Sequence, residues 1–128
     1  MDHERIEIDL QRAPDDASVN EPGFQNELRE FSKSLRTAGV TFSQRAMAFD
    51  SVDALGFPLA EFVIKTLSPA VIPAAAAVCG AWVQARYGRK VRLKIGDVEA
   101  EGRTTKEIEN LLRQAESFRG KVHSRQPK

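Results

Sequence analysis

The stretch from Thr66 to Ala85, TLSPAVIPAAAAVCGAWVQA, holds no charged residue, and it is closed by Lys65 on one side and by Arg86, Arg89 and Lys90 on the other. A chain with such a run can lay it across a bilayer or bury it as a helix in a domain core. Length and composition favour the core. A bilayer span needs about 20 apolar residues, roughly 30 Å of helix. Here alanine rather than leucine dominates, Thr66, Ser68 and Gln84 are polar, and Pro69 and Pro73 interrupt the run. With Pro73 in a first turn, the regular helix to Tyr87 covers only about 22 Å at about 1.5 Å per residue.

Topology gives the same preference. Basic residues are retained on the cytoplasmic side of a membrane, so a span over 66–85 would leave the acidic N-terminal half outside. An N-terminal strand and a C-terminal hairpin would then lie on opposite sides, and neither is stable in water by itself. The favoured reading is a soluble helix over about 69–87, in which Ala74 to Ala77 allow another backbone to approach closely and Val78, Trp82 and Ala85 continue the packed face. A helix apolar nearly all round needs more cover than a small domain supplies. Ala75, Ala76, Val78 and Trp82 are therefore the candidate protein interface, for a partner or for a homo-oligomer. An inner-membrane single-span anchor over 66–85 is the alternative.

The 128 residues, 29% charged and 41% apolar, fit one globular domain, assigned to 1–118, followed by a basic disordered tail over 119–128. Cys79 is the single cysteine, so the chain can form no intramolecular disulfide, zinc knuckle or redox pair of its own. A cytoplasmic location is expected, and Met1 to Glu7 carries none of the apolar character of a signal peptide. Residues 1–64 hold 6 basic against 12 acidic side chains, and residues 65–128 hold 13 against 6. Such a split either draws the two halves together or marks a charged partner surface.

Period-2 and period-3.6 patterns outline an α+β fold. Arg5 to Leu10 alternates Ile6, Ile8 and Leu10 with Glu7 and Asp9, a half-buried strand. Gln11 to Gly23 is polar, holds Pro14 and Pro22, and reads as a loop with solvated carboxylates. Phe24, Leu28, Phe31 and Leu35 share one face of a helix over about 24–37, with Gly39 available as its C-terminal cap. A second strand is expected over 40–47. In Phe49 to Leu67, Asp50 or Ser51 caps a short helical turn and a further helix runs from about Pro58 to Thr66.

The C-terminal third holds strands at 91–95 and 98–102. A two-residue turn at Gly96-Asp97 sets Ile95 opposite Val98, Lys94 opposite Glu99, Leu93 opposite Ala100 and Arg92 opposite Glu101. Thr104 and Glu107 then stand at capping-box spacing before a helix over 104–118, whose stripe is Ile108, Leu111, Leu112, Ala115 and Phe118. The helices are expected mainly on one face of the sheet.

Chemistry-bearing patterns are few. His3 and His123 lie in the terminal segments, too far apart in sequence to point to a metal or triad site. Cys79 sits in an apolar setting that raises a thiol's pKa and makes it inert. Gly80, Gly88, Gly96 and Gly102 lack phosphate-loop spacing. No catalytic, cofactor-binding or metal-ligating residue is assigned, and the chain is expected not to be an enzyme. Arg86, Tyr87, Arg89 and Lys90 form a candidate basic patch able to contact phosphate and stack on a base. Glu99 and Glu101 would neutralise much of it, so nucleic acid is not the favoured partner.

The run of features from strand and helix through an Ala/Gly-rich helix ending in WVQAR (Trp82 to Arg86), then VRLKI, a short acidic strand and an EIENLL helix, resembles the first family of effector-associated constant component domains. The likeness covers about Arg5 to Phe118, with a longer central segment, Phe49 to Leu67. The resemblance implies a small accessory module encoded beside effectors in bacterial conflict systems, an adaptor linking sensing to an effector without activity of its own.

Overall fold

Alternation decides the sheet, and the helices follow from what it leaves uncovered. A computed structural model describes residues 5–47 and 57–124. Strand β1 (Ile6–Gln11) leads to α1 (Pro22–Thr37), β2 (Thr41–Met47) and β3 (Phe57–Thr66). A 3-10 turn (Pro69–Val71), α2 (Ile72–Gln84), β4 (Lys90–Ile95), β5 (Val98–Gly102) and α3 (Thr105–Ser124) complete the order. Among the described residues the strands form one antiparallel sheet, ordered β2-β3-β1-β4-β5. The α+β class expected from the sequence is the class observed.

One face of that sheet makes the core. Ile6, Ile8 and Leu10 of β1, Ala60, Phe62 and Ile64 of β3, and Val91, Leu93 and Ile95 of β4 are buried together with the apolar stripes of the helices. The α1 stripe, Phe24, Leu28, Phe31 and Leu35, is buried as its spacing requires. Gly39, at φ 101°, ends α1 in the left-handed conformation that a side chain disfavours. The Gly39 N–H donates to Arg36 O and the Val40 N–H to Leu35 O, so the last carbonyls find donors and Val40 closes over Leu35.

The C-terminal hairpin has the expected register: Ile95 pairs with Val98, Lys94 with Glu99, Leu93 with Ala100 and Arg92 with Glu101. Gly96, at φ 59°, makes the turn. Thr104 Oγ1 accepts the Glu107 N–H at 3.1 Å, and Glu107 Oε1 reaches back to the Arg103 N–H at 2.9 Å, so the box caps α3. Ile108, Leu112 and Ala115 are buried and Leu111 partly so, while the side chain of Phe118 is outside the described ones. Helix α3 continues to Ser124, into the stretch expected as a tail.

The segment from Pro58 to Thr66, expected as helix, is a strand. Ala60, Phe62 and Ile64 point into the core while Glu61, Val63 and Lys65 point out, and β1 and β2 pair with its two edges. Its apolar residues run almost without a break because Val63 adds one to the outer face, which hid the period of two. The turn expected from Asp50 or Ser51 lies outside the described residues. The uncharged run is likewise divided: Thr66 ends β3, the 3-10 turn follows, and α2 occupies 72–84 with Pro73 in its first turn. Among the described residues, no helix is long and apolar enough to cross a membrane.

Candidate functional site

Helix α2 turns its small residues in two directions. Inward, Ala75, Ala76, Cys79, Gly80, Trp82 and Val83 are buried. Three of the four residues expected as an interface, Ala75, Ala76 and Trp82, are thus spent on the protein's own core, and Val78 is half-buried. The close approach of a second backbone occurs, but at Gly80 rather than at Ala74 to Ala77. A Cβ there would lie 1.9 Å from Thr105 Oγ1 and 3.1 Å from Thr105 Cα, at the start of α3. Burial pushes the Cys79 thiol up to about 12, which keeps it protonated and unreactive at neutral pH.

Outward, Ala77, Ala81 and Ala85 recur every four residues and are exposed. With Val78 and Trp82 they floor a cleft of about 440 Å³ against α1, whose Glu27, Glu30 and Ser34 form the other wall beside Phe31. Sequence reasoning did not single out Ala81, and it placed Ala77 at a close backbone approach and Ala85 on the packed face, whereas all three are exposed. Their spacing was legible, but in a helix apolar on every side no polar face marks which side is free.

The end of this cleft is built on Arg89. Its guanidinium stacks over the Trp82 ring at 4.3 Å and donates to Trp82 O at 3.0 Å. It also donates to Asp16 through Nε and Nη2, at 3.0 and 2.9 Å, and to Glu27 at 2.6 Å. The side chains of Arg89 and Asp16 are only 1% and 2% exposed. Asp16, expected to be solvated, is held below its ordinary value by the Arg89 hydrogen bond, against the opposing effect of burial. It also accepts the Ala13 N–H at 2.7 Å, which closes a local turn, while its bonds to Arg89 tie the 12–21 loop to the body.

The candidate basic patch is not assembled. Arg89 is buried, Lys90 pairs with Glu101 at 3.2 Å, Arg86 pairs with Asp16 at 3.0 Å, and Tyr87 is exposed at 98%. Part of the charge asymmetry of the two halves is met inside the molecule, where Asp16 and Glu27 of the first half hold Arg89 of the second.

The open face of the sheet carries a second charged group. Lys94, opposite Glu99 in the hairpin register as expected, extends its ammonium to Asp9 Oδ2 at 3.1 Å, and Arg45 reaches Glu7 Oε1 at 3.0 Å. Glu7, Asp9 and Glu61 each bring a carboxylate oxygen within 4.8 Å of the others. Hard divalent cations use such oxygen sets, but here Lys94 and Arg45 already supply positive charge to the cluster. Burial, then the hydrogen bond and charge of Asp9, raise Glu7 above its ordinary value. Asp9 Oδ1 is buried and accepts no hydrogen bond among the described residues.

No family model, curated protein or solved structure matches the chain.

Proposed function

We propose that this protein is a non-enzymatic association module that receives an apolar helix of another protein subunit in the cleft between α1 and α2. The observation that carries this reading is the floor of that cleft: Ala77, Ala81 and Ala85 present an exposed, side-chain-poor helix face beside Phe31 and Trp82. Small residues let a second helix approach closely, and a groove between helices is a standard receptor for one. The acidic wall of Glu27 and Glu30 selects for basic residues at the rim of the incoming helix.

The resemblance to effector-associated constant component domains adds an assembly to this reading: an accessory adaptor in a bacterial conflict system, whose partner is encoded beside it. Tagged protein should then retain either the product of an adjacent gene or a differently tagged second copy through size-exclusion chromatography. Ala81→Arg should keep the circular dichroism of the wild type and lose that companion. Retention of neither companion, or indifference to Ala81→Arg, would overturn the proposal.

A further inference from the structure

Strand β5 ends the sheet on the side away from β2, and among the described residues no strand covers its outer edge. The turn at Gly96-Asp97 fixes which backbone groups that edge offers. In a two-residue hairpin the closing pair, here Ile95 and Val98, exchange both hydrogen bonds, and alternation then turns the N–H and C=O of Glu99 and Glu101 outward. Neither residue's outward backbone has a partner among the described residues. Behind the edge lies a cavity of about 170 Å³, walled by Leu93, Ile95, Val98 and Ala100 of the hairpin and by Leu111 and Ala115 of α3. Val98 is 57% exposed at its mouth.

We propose that the outer edge of β5 and this cavity bind an extended protein segment in which basic residues alternate with apolar ones, paired antiparallel to β5. The inner edge of β5 already shows what such an edge accepts. There β4 sets Arg92 opposite Glu101 and Lys94 opposite Glu99, with Leu93 opposite Ala100 between them. An added strand meets the same alternation from the other side: carboxylates on the open face, an apolar recess on the helix side. Its backbone supplies partners for Glu99 and Glu101, and one apolar side chain enters the cavity. A basic residue stands beside Glu99, whose side chain is 54% exposed, while Glu101 is already held by Lys90 and Arg92 at 3.2 and 3.0 Å.

A second copy of this chain does not fit that description. Antiparallel pairing of two β5 strands with their side chains in phase sets glutamate opposite glutamate wherever Glu99 and Glu101 of the two strands overlap, and like charges directly opposite are repulsive. The surface is separate from the α1–α2 cleft, and its occupancy does not depend on what that cleft binds.

The test is a titration of the full-length, nitrogen-15-labelled protein with the synthetic peptide KVRLKI, followed by amide NMR. Saturable shifts at Glu99, Glu101 and Leu111 to Ala115, with slowed hydrogen exchange at the two glutamates, are expected. Binding should weaken with added salt, and the charge-reversed peptide EVELEI should bind at least about tenfold more weakly. Glu99→Pro removes an outward N–H and should abolish binding. Gln114→Trp, which fills the cavity from α3 and leaves the β5 backbone unchanged, should do the same and serves if the proline variant does not fold. Absence of saturable shifts, shifts at the α1–α2 cleft, shifts along β1 indicating replacement of β4, or equal binding of both peptides would each overturn the proposal.

Discussion

Arg89 is the residue on which the loop, two helices and the fourth strand converge. Its guanidinium meets Asp16, Glu27, the Trp82 ring and the Trp82 carbonyl, so removing either member of the buried pair leaves the other charged, buried and short of its two-bond partner. Arg89→Ala and Asp16→Ala should each cost about 3–5 kcal/mol in denaturant unfolding, and the double variant should cost clearly less than their sum. Two carboxylates make opposite contributions with pH. Asp16 is lowered, so its stabilisation is present above its ordinary value of 3.8 and is lost as pH falls through its folded value. Glu7 is raised, so its stabilisation is present below its ordinary 4.5 and is lost as pH climbs through its folded value. Glu7→Gln should therefore gain in melting temperature relative to wild type as pH rises from about 4 to about 7, and a constant difference across that range would show that Glu7 titrates normally. None of these roles was legible in the sequence, because Asp16 and Arg89 stand 73 positions apart and each belongs to an ordinary polar stretch.

Elements were read well where a period and a stop signal agreed. Helix α1 had its stripe and Gly39, the hairpin had alternation and Gly96, and α3 had Thr104 with Glu107; each formed where expected. Thr104→Ala should lower stability by about 1 kcal/mol in thermal or denaturant unfolding, since the Glu107 N–H loses its acceptor. Strand β3 was misread because Val63 on the outer face masks the alternation of Ala60, Phe62 and Ile64, and its place between β1 and β2, where both edges need a partner, leaves no local mark. Helix α2 was recognised as a helix, but the site of close approach was not. Gly80→Ala should cost about 1–3 kcal/mol despite alanine's better helix propensity, because the new Cβ meets Thr105. A stabilised Gly80→Ala protein would mean that α3 yields at that contact.

At the scale of the whole molecule, connectivity explains why one sheet face is covered and the other open. The β1-α1-β2 and β3-α2-β4 crossovers each skip one strand, in opposite directions across the sheet and from strands of opposite direction. Reversing both is a rotation about the sheet normal, so two crossovers of the same hand place α1 and α2 on the same face. The cleft between them is a product of that arrangement. Two arginine substitutions on α2 separate its sides: Ala76→Arg, in the core, should abolish cooperative unfolding, whereas Ala81→Arg should remain folded and change only association. The sequence by itself determined the hairpin register, the caps, the stripes of α1 and α3, the inertness of Cys79 and the α+β class, because these depend on residues within a few positions of one another. Tertiary structure alone decided that 57–66 is a strand, that Arg89 is a buried anchor, that Lys94 answers to Asp9, and that Ala77, Ala81 and Ala85 are the free side of α2. Each of those outcomes depends on which distant segment arrives alongside, and a uniformly apolar helix or a dispersed set of charges carries no local mark of its neighbour.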